Sequence, residues 1–327
     1  MRYRNWLGAL LAVLGLFTGS AFANDYFSTA DGDPVVADSS CDSCYCEECC
    51  CKPALLGVIK PTDTAWSGFI SPMSNPVFFE DPRTLTEARF IFAHHNLPPL
   101  AGGAIPASDI QVLALQLRAA LTDDLSIIAT KDGFFFASPD APLDDGWLDL
   151  SLGLKYNLWK DCECQRILSV GGTFELPTGS RRALQGNGDG EFNMFASYGA
   201  QIGDCNHFIT TAGLRLPANS NAENEVFYWA AHLDRQIAGT NLYGFVEGNW
   251  YHWLGNGNVA AFNGIQGLDF FNFGSTGVAG SNIVTGAVGV KWTPTLLQEV
   301  GVAYEGPLTN TQGVIQNRLI VNYILRY

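Results

Sequence analysis

From residue 85 onward, apolar and polar positions alternate in segment after segment. In the last stretch, residues 317–327, Leu319, Val321, Tyr323, Leu325 and Tyr327 fall on one face, and Arg318, Asn322 and Arg326 on the other. Successive side chains of a strand point to opposite faces, so this period of two predicts a ribbon with one apolar and one largely polar side. The clearest case is residues 147–158, where Leu148, Leu150, Leu152, Leu154, Tyr156 and Leu158 oppose Asp149, Ser151, Gly153, Lys155 and Asn157. Comparable segments at 87–95, 113–121, 125–131, 166–176, 192–203, 207–216, 226–237, 241–253, 283–292 and 297–305 bring the total to about twelve. An apolar face about eleven residues long matches the height of a bilayer crossed by a tilted strand.

The connections supply an independent test. Those at 122–124, 159–165, 204–206, 238–240 and 293–296 are short; those at 132–146, 177–191, 217–225, 254–282 and 306–316 are longer. Strict alternation of tight turns and long loops predicts an all-β fold, a transmembrane antiparallel up-and-down β-barrel over residues 85–327. In such barrels the tight turns are periplasmic, which puts both termini in the periplasm and the protein in the cell outer membrane of a Gram-negative organism. Residues 1–23 fit an exported chain: Arg2 and Arg4, an apolar run, then Ala21-Phe22-Ala23, read as a removable signal peptide. The terminal strand, ending on an aromatic, resembles the last strand of outer-membrane barrels. That resemblance implies that Tyr323 and Tyr327 form the signal read by the barrel-assembly machinery, with outer-membrane lipid as the surrounding partner.

Composition changes the picture in two ways. Only 15% of residues are charged, below the roughly 25% of soluble domains, and 12% are aromatic. Loss of Arg2 and Arg4 with the signal peptide takes the formal charge from -14 to about -16, which disfavours nucleic acid as a partner. Residues 24–84 form a separate, mostly irregular periplasmic segment, acidic in its first half and dense in cysteine at Cys41, Cys44, Cys46, Cys49, Cys50 and Cys51. In an oxidising compartment such density points to disulfides, within the segment or between chains; a thiolate metal site is the alternative. Cys162, Cys164 and Cys205 sit in two short turns on the side where the mature N-terminus enters, so at least one of them is expected to pair with another cysteine. The prolines from 61 to 82 predict an ordered extended connector.

A narrower likeness rests on Leu152-Gly153-Leu154-Lys155-Tyr156, on Gly171 through Gly179 and on Arg318 through Tyr323. These stretches resemble the exported barrel family named after the meta-pathway of phenol degradation, thought to be outer-membrane channels for small, often apolar compounds. The resemblance covers the barrel and not the cysteine-rich segment. It implies a passive channel for small, apolar or weakly polar solutes. The competing classes are a structural barrel tethered through its cysteine-rich segment and an outer-membrane hydrolase.

By alternation the inward positions include Arg89, Arg118, Lys155, Glu175, Arg215, His232, Asp234, Glu247, Lys291, Glu299, Glu305 and Arg318. Register through the turns places Lys291 near Glu299 and Glu305 near Arg318, as ion pairs of a hydrated lumen or as a charged constriction. No serine stands at a recognisable nucleophile motif beside His232 and Asp234, and no cofactor or resident metal is implied. The loop at 254–282 is unlike a solvated one. Phe262, Phe270, Phe271 and Phe273 are interleaved with glycines around a single charge, Asp269. So many large apolar groups must be buried, against neighbouring loops such as the one holding Phe134, Phe135 and Phe136, on the membrane surface, or folded inward as a cap on the lumen.

Overall fold

The computed structural model describes residues 53–327 apart from Asp140, Ala238 and Gln312. The expected signal peptide and the cluster Cys41 to Cys51 lie outside the described residues. β1 (Glu87–Leu97) pairs antiparallel with β2 (Ser108–Ala120) on one side and with the last strand, β14 (Asn317–Arg326), on the other, which closes the sheet into a barrel. Between them run β3 (Leu125–Lys131), β4 (Phe134–Ala137), β5 (Gly146–Trp147), β6 (Leu150–Asp161), β7 (Arg166–Leu176), β8 (Glu191–Ile202) and β9 (Asn206–Pro217). β10 (Val226–Gln236), β11 (Leu242–Trp253), β12 (Asn282–Thr295) and β13 (Gln298–Pro307) complete the wall. Each strand pairs with its neighbours in sequence, except where β3 and β4 both lie against β2. β3 with β4, and β5 with β6, are two wall strands each broken by a kink, so the wall is a closed twelve-stranded antiparallel barrel.

The kinks correct two expectations. Residues 134–137, expected in a loop, continue the wall as β4, and the strand expected over 147–158 is interrupted at Leu148 and Asp149. Leu148, placed on the outer face by alternation, is buried inside. Its amide donates to the Gly133 carbonyl, and the Asp149 carboxylate accepts from the Gly179 and Gly186 amides, so both residues leave the pleat to satisfy groups at the bend. Gly133 makes the bend possible: its φ is +111°, and a Cβ there would sit 2.3 Å from the Leu113 carbonyl oxygen.

Elsewhere the period of two holds apart from bulges at Asn157/Trp159 and Trp292/Thr295. Leu154 and Tyr156 are about half exposed on the outer face while Lys155 between them is 1% exposed, so the outside of the wall is the apolar side. A wall of this sign suits hydrocarbon outside, because every backbone group is paired around the closed sheet.

The interior is filled by the chain that precedes β1. Every residue from 69 to 87 is buried. The segment enters at the end where the last strand finishes, Thr62 donating its amide to the Tyr327 carbonyl, and returns to the same rim, where Tyr327 donates its amide to Thr86. A 3-10 turn at Thr64–Trp66 is capped by the Asp63 carboxylate, which accepts from the Ala65 amide. Trp66, Phe69 and Phe79 pack with Ile167, Ile209 and Ala230 of the wall at one level. Ile70, Met73, Val77 and Phe78 join a larger apolar cluster at another. Each fully buried large side chain contributes about 1.5–3 kcal/mol, so apolar packing alone favours the inserted position. The residues from 61 to 82, expected as an extended connector, are irregular and extended; their place is the middle of the barrel.

Candidate functional site

The inward wall residues and the inserted segment form one lattice. Arg89, Arg118, Lys155, Glu175, Arg215, His232, Asp234, Glu247, Lys291, Glu305 and Arg318 all face the interior, and none exceeds 7% exposure. Water in an open lumen would touch these side chains, so a hydrated passage does not run at their level. The expected hydrated lumen is corrected on this point: the charges meet the inserted segment and one another.

Glu80 is the centre of the lattice. Its carboxylate accepts from Arg118 Nε at 2.9 Å and Nη2 at 2.5 Å and from Lys155 Nζ at 2.8 Å, and its carbonyl accepts from the Ser197 and Thr211 hydroxyls. Asp81 pairs with Arg83 at 2.7 Å, and its carbonyl accepts from Lys155. Across the barrel the Glu247 carboxylate accepts from the Met73 and Ser74 amides, and Glu299 accepts from the Ser71 amide while pairing with Lys291 and Arg326 at 2.6 Å. Among the described residues, 66–83 make no backbone–backbone hydrogen bond to the wall; the wall holds them through side chains. Buried charges are tolerable only when paired and hydrogen-bonded, and here each of these has both.

His232 lies between two carboxylates, with Nδ1 2.7 Å from Glu247 and Nε2 3.1 Å from Asp234, whose other oxygen is 2.8 Å from His207 Nδ1. Both ring nitrogens of His232 are occupied, so this histidine has no free nitrogen with which to activate a nucleophile. The arrangement ties three wall strands to the inserted segment.

The opposite end is covered by residues 254–281. Ile265, Leu268, Phe270, Phe271 and Phe273 are buried, and Phe271 stacks on Phe135 at 5.3 Å between ring centroids. Phe262 is half-buried and stacks on Phe273 at 4.7 Å. The loop also reaches down the lumen. Asp269 accepts from Arg318 at 2.8 Å, Arg318 pairs with Glu305 at 2.7 Å, and the Leu268 carbonyl accepts from Arg215. The loop therefore folds inward, and the aromatic group it was expected to meet in a neighbouring loop, Phe135, belongs to the wall strand β4. Beneath it an apolar cavity of about 20 Å³ is lined by Leu97, Leu100, Leu143, Phe262, Phe273 and Val314. That holds about one water and no larger solute.

Several members were not named among the inward charges, although alternation already puts Arg326 on the polar face of the terminal strand. Lys131 pairs with Glu175 at 2.5 Å, Glu191 with Arg215 at 2.7 Å, and Arg326 with both Glu87 and Glu299. Glu80, Asp81 and Arg83 were also missed, although three charges within four residues of an otherwise apolar, proline-bounded stretch are a usable signal. Lys291–Glu299 and Glu305–Arg318 meet as register places them. Tyr323 stacks on Phe90 across the β1–β14 seam. Cys162 is disulfide-bonded, whereas Cys164 and Cys205 are free thiols.

No family model matches the chain. No curated protein matches it significantly. Among solved structures, the fold is similar to an outer membrane channel from Pseudomonas putida F1, with a TM-score of 0.53 at 13% identity over 79% of this chain and 100% of that one. More distant likenesses include the KdgM porin (TM-score 0.42, 9% identity, 73% and 99% covered). The translocator domain of the autotransporter NalP from Neisseria meningitidis is another (TM-score 0.41, 13% identity, 78% and 92% covered). At 13% identity the first of these likenesses establishes the fold alone, that of an outer-membrane β-barrel.

Proposed function

We propose that the protein is an outer-membrane channel for passive passage of small, apolar or weakly polar solutes, described here in a closed conformation. The observation that carries this is the inserted segment: it fills the lumen, enters and leaves at one rim, and is held by wall side chains rather than by the wall's backbone ladder. A purely structural barrel has no need of a filling that can be removed without breaking a strand pair. The buried face of the 254–281 loop, Ile265, Leu268, Phe270, Phe271 and Phe273, would line the mouth once the loop moves, and an apolar lining supports an apolar solute. The similarity to a channel accords with the same reading.

In this reading residues 1–23 are removed on export, both termini face the periplasm, and Tyr323 and Tyr327 present the closing strand to the assembly machinery. A second reading, a sealed barrel tethered through its cysteine-rich segment, is favoured by one observation: Cys162, in a turn at the terminal rim, is disulfide-bonded. Single-channel conductance separates the two. The chain without residues 24–84 should conduct steadily and the intact chain only in brief openings; a barrel that stays sealed without the segment would overturn the channel.

A further inference from the structure

Ahead of the inserted segment, residues 54–59 form a tight apolar hairpin that the lattice does not use. Leu55 and Ile59 close it as an antiparallel bridge, with the Leu55 amide donating to the Ile59 carbonyl at 2.8 Å and the Gly57 amide to Ala54 at 3.1 Å. Its tip is Leu56-Gly57, with φ of 53° and 76°. A leucine in the left-handed region is uncommon, and here it carries its side chain away from the rest of the protein: Leu56 is 86% exposed, Val58 64% and Leu55 43%. Apolar groups displayed at a strained tip make no sense facing water.

The hairpin's anchors fix where it stands. The Lys60 amide donates to the Ala120 carbonyl at the end of β2, and Lys60 Nζ pairs with Asp123 at 2.8 Å. The Tyr327 hydroxyl donates to the Pro53 carbonyl at 2.8 Å. Tyr327 continues the outward series of the terminal strand after Leu325, which is 44% exposed on the lipid-facing side. A hydroxyl on that series reaching Pro53 places the hairpin outside the wall, at the level where the apolar belt ends.

We propose that residues 54–59 dip into the phospholipid leaflet on the terminal side of the membrane, extending the lipid-facing surface of the β1–β14 seam and fixing the outer leg of the inserted segment. This rests on the barrel being membrane-inserted. The partner is phospholipid at the boundary between headgroup and acyl chain, where short apolar anchors settle.

The test places a diazirine analogue of leucine at Leu56, Leu325 or Asn258 of the full chain, refolded into phosphatidylethanolamine and phosphatidylglycerol vesicles. Adducts are read by mass spectrometry after heat-modifiable migration confirms the barrel. Lipid adducts at Leu56 should come within roughly threefold of those at Leu325 and stand about tenfold above those at the exposed loop residue Asn258. Water adducts alone at Leu56, with lipid adducts at Leu325, would overturn the inference and leave the membrane barrel standing. A protein adduct at Leu56 in cells, without lipid, would overturn it in favour of a periplasmic partner, and absence of lipid adducts at Leu325 as well would overturn the barrel's insertion along with it. Val58 serves as a second position if the analogue at Leu56 blocks folding.

Discussion

Glu80 and Arg118 form a two-point ion pair inside the barrel, Nε to Oε1 at 2.9 Å and Nη2 to Oε2 at 2.5 Å, joining the inserted segment to the wall. Both side chains are nearly inaccessible, at 3% and 1% exposure. Removing one partner of such a pair costs about 3–5 kcal/mol, because the other charge stays buried without its match. Glu80→Gln strips charge from a site shared by Arg118 and Lys155, and the wall strands lose nothing. The inserted segment should leave its place roughly 100- to 4,000-fold more often, since each 1.4 kcal/mol is a factor of ten. Single-channel recording reads this as a matching rise in opening frequency with normal heat-modifiable migration; unchanged gating would show that the pair does not hold the segment.

The outer loop is open to the same test from the other end. Asp269→Asn leaves Arg318 with Glu305 alone and removes the charge that draws the loop inward, at a cost of about 3 kcal/mol local to the loop. Hydrogen exchange of residues 265–273 should quicken while β14 keeps its protection. Deleting residues 257–274 should raise conductance in a chain that already lacks residues 24–84 and reduce its preference for apolar over charged solutes.

A pH dependence follows from Glu223, in the loop between β9 and β10. Burial first, and then the neighbouring Glu191 and Glu175 carboxylates, raise its pKa to about 8, and one of its oxygens has no hydrogen-bond partner. A carboxyl raised in the folded state binds its proton more tightly there than when unfolded. Its favourable contribution is complete below the unfolded value of 4.5 and is lost as pH rises through about 8. The loop at 218–225 should therefore become more open to protease between pH 6 and about pH 9, and Glu223→Gln should flatten that rise. A wild-type loop equally resistant at both pH values would disprove it.

Tyr327 closes three connections at the rim. Its amide donates to Thr86, its carbonyl accepts from Thr62, and its hydroxyl donates to Pro53. Deleting it should leave the chain unassembled in the periplasm, seen as loss of heat-modifiable migration. Normal migration of the shortened chain would show that Tyr327 is not needed for assembly.

The wall was legible in the sequence because its signal is local. Leu154, Lys155 and Tyr156 announce their faces by adjacency alone, and register through a short turn is enough to bring Lys291 to Glu299. The kink was not legible: Phe134, Phe135 and Phe136 are apolar on both faces, so the period vanishes where the strand bends. The inserted segment failed for a different reason. Prolines describe the conformation of residues 61–82 correctly but say nothing of location, and Glu80 acquires its meaning only beside Arg118, Lys155, Ser197 and Thr211, which four separate strands bring to one point.

That the wall grips residues 66–83 through side chains alone has a consequence for how such a protein can change. The hydrogen-bonded cylinder and the material inside it obey separate constraints: alternation and seam pairing govern one, a handful of complementary charges the other. Exchanging a few inward residues could therefore release, reshape or replace the filling while the cylinder stays the same, so a new selectivity can be reached without a new fold.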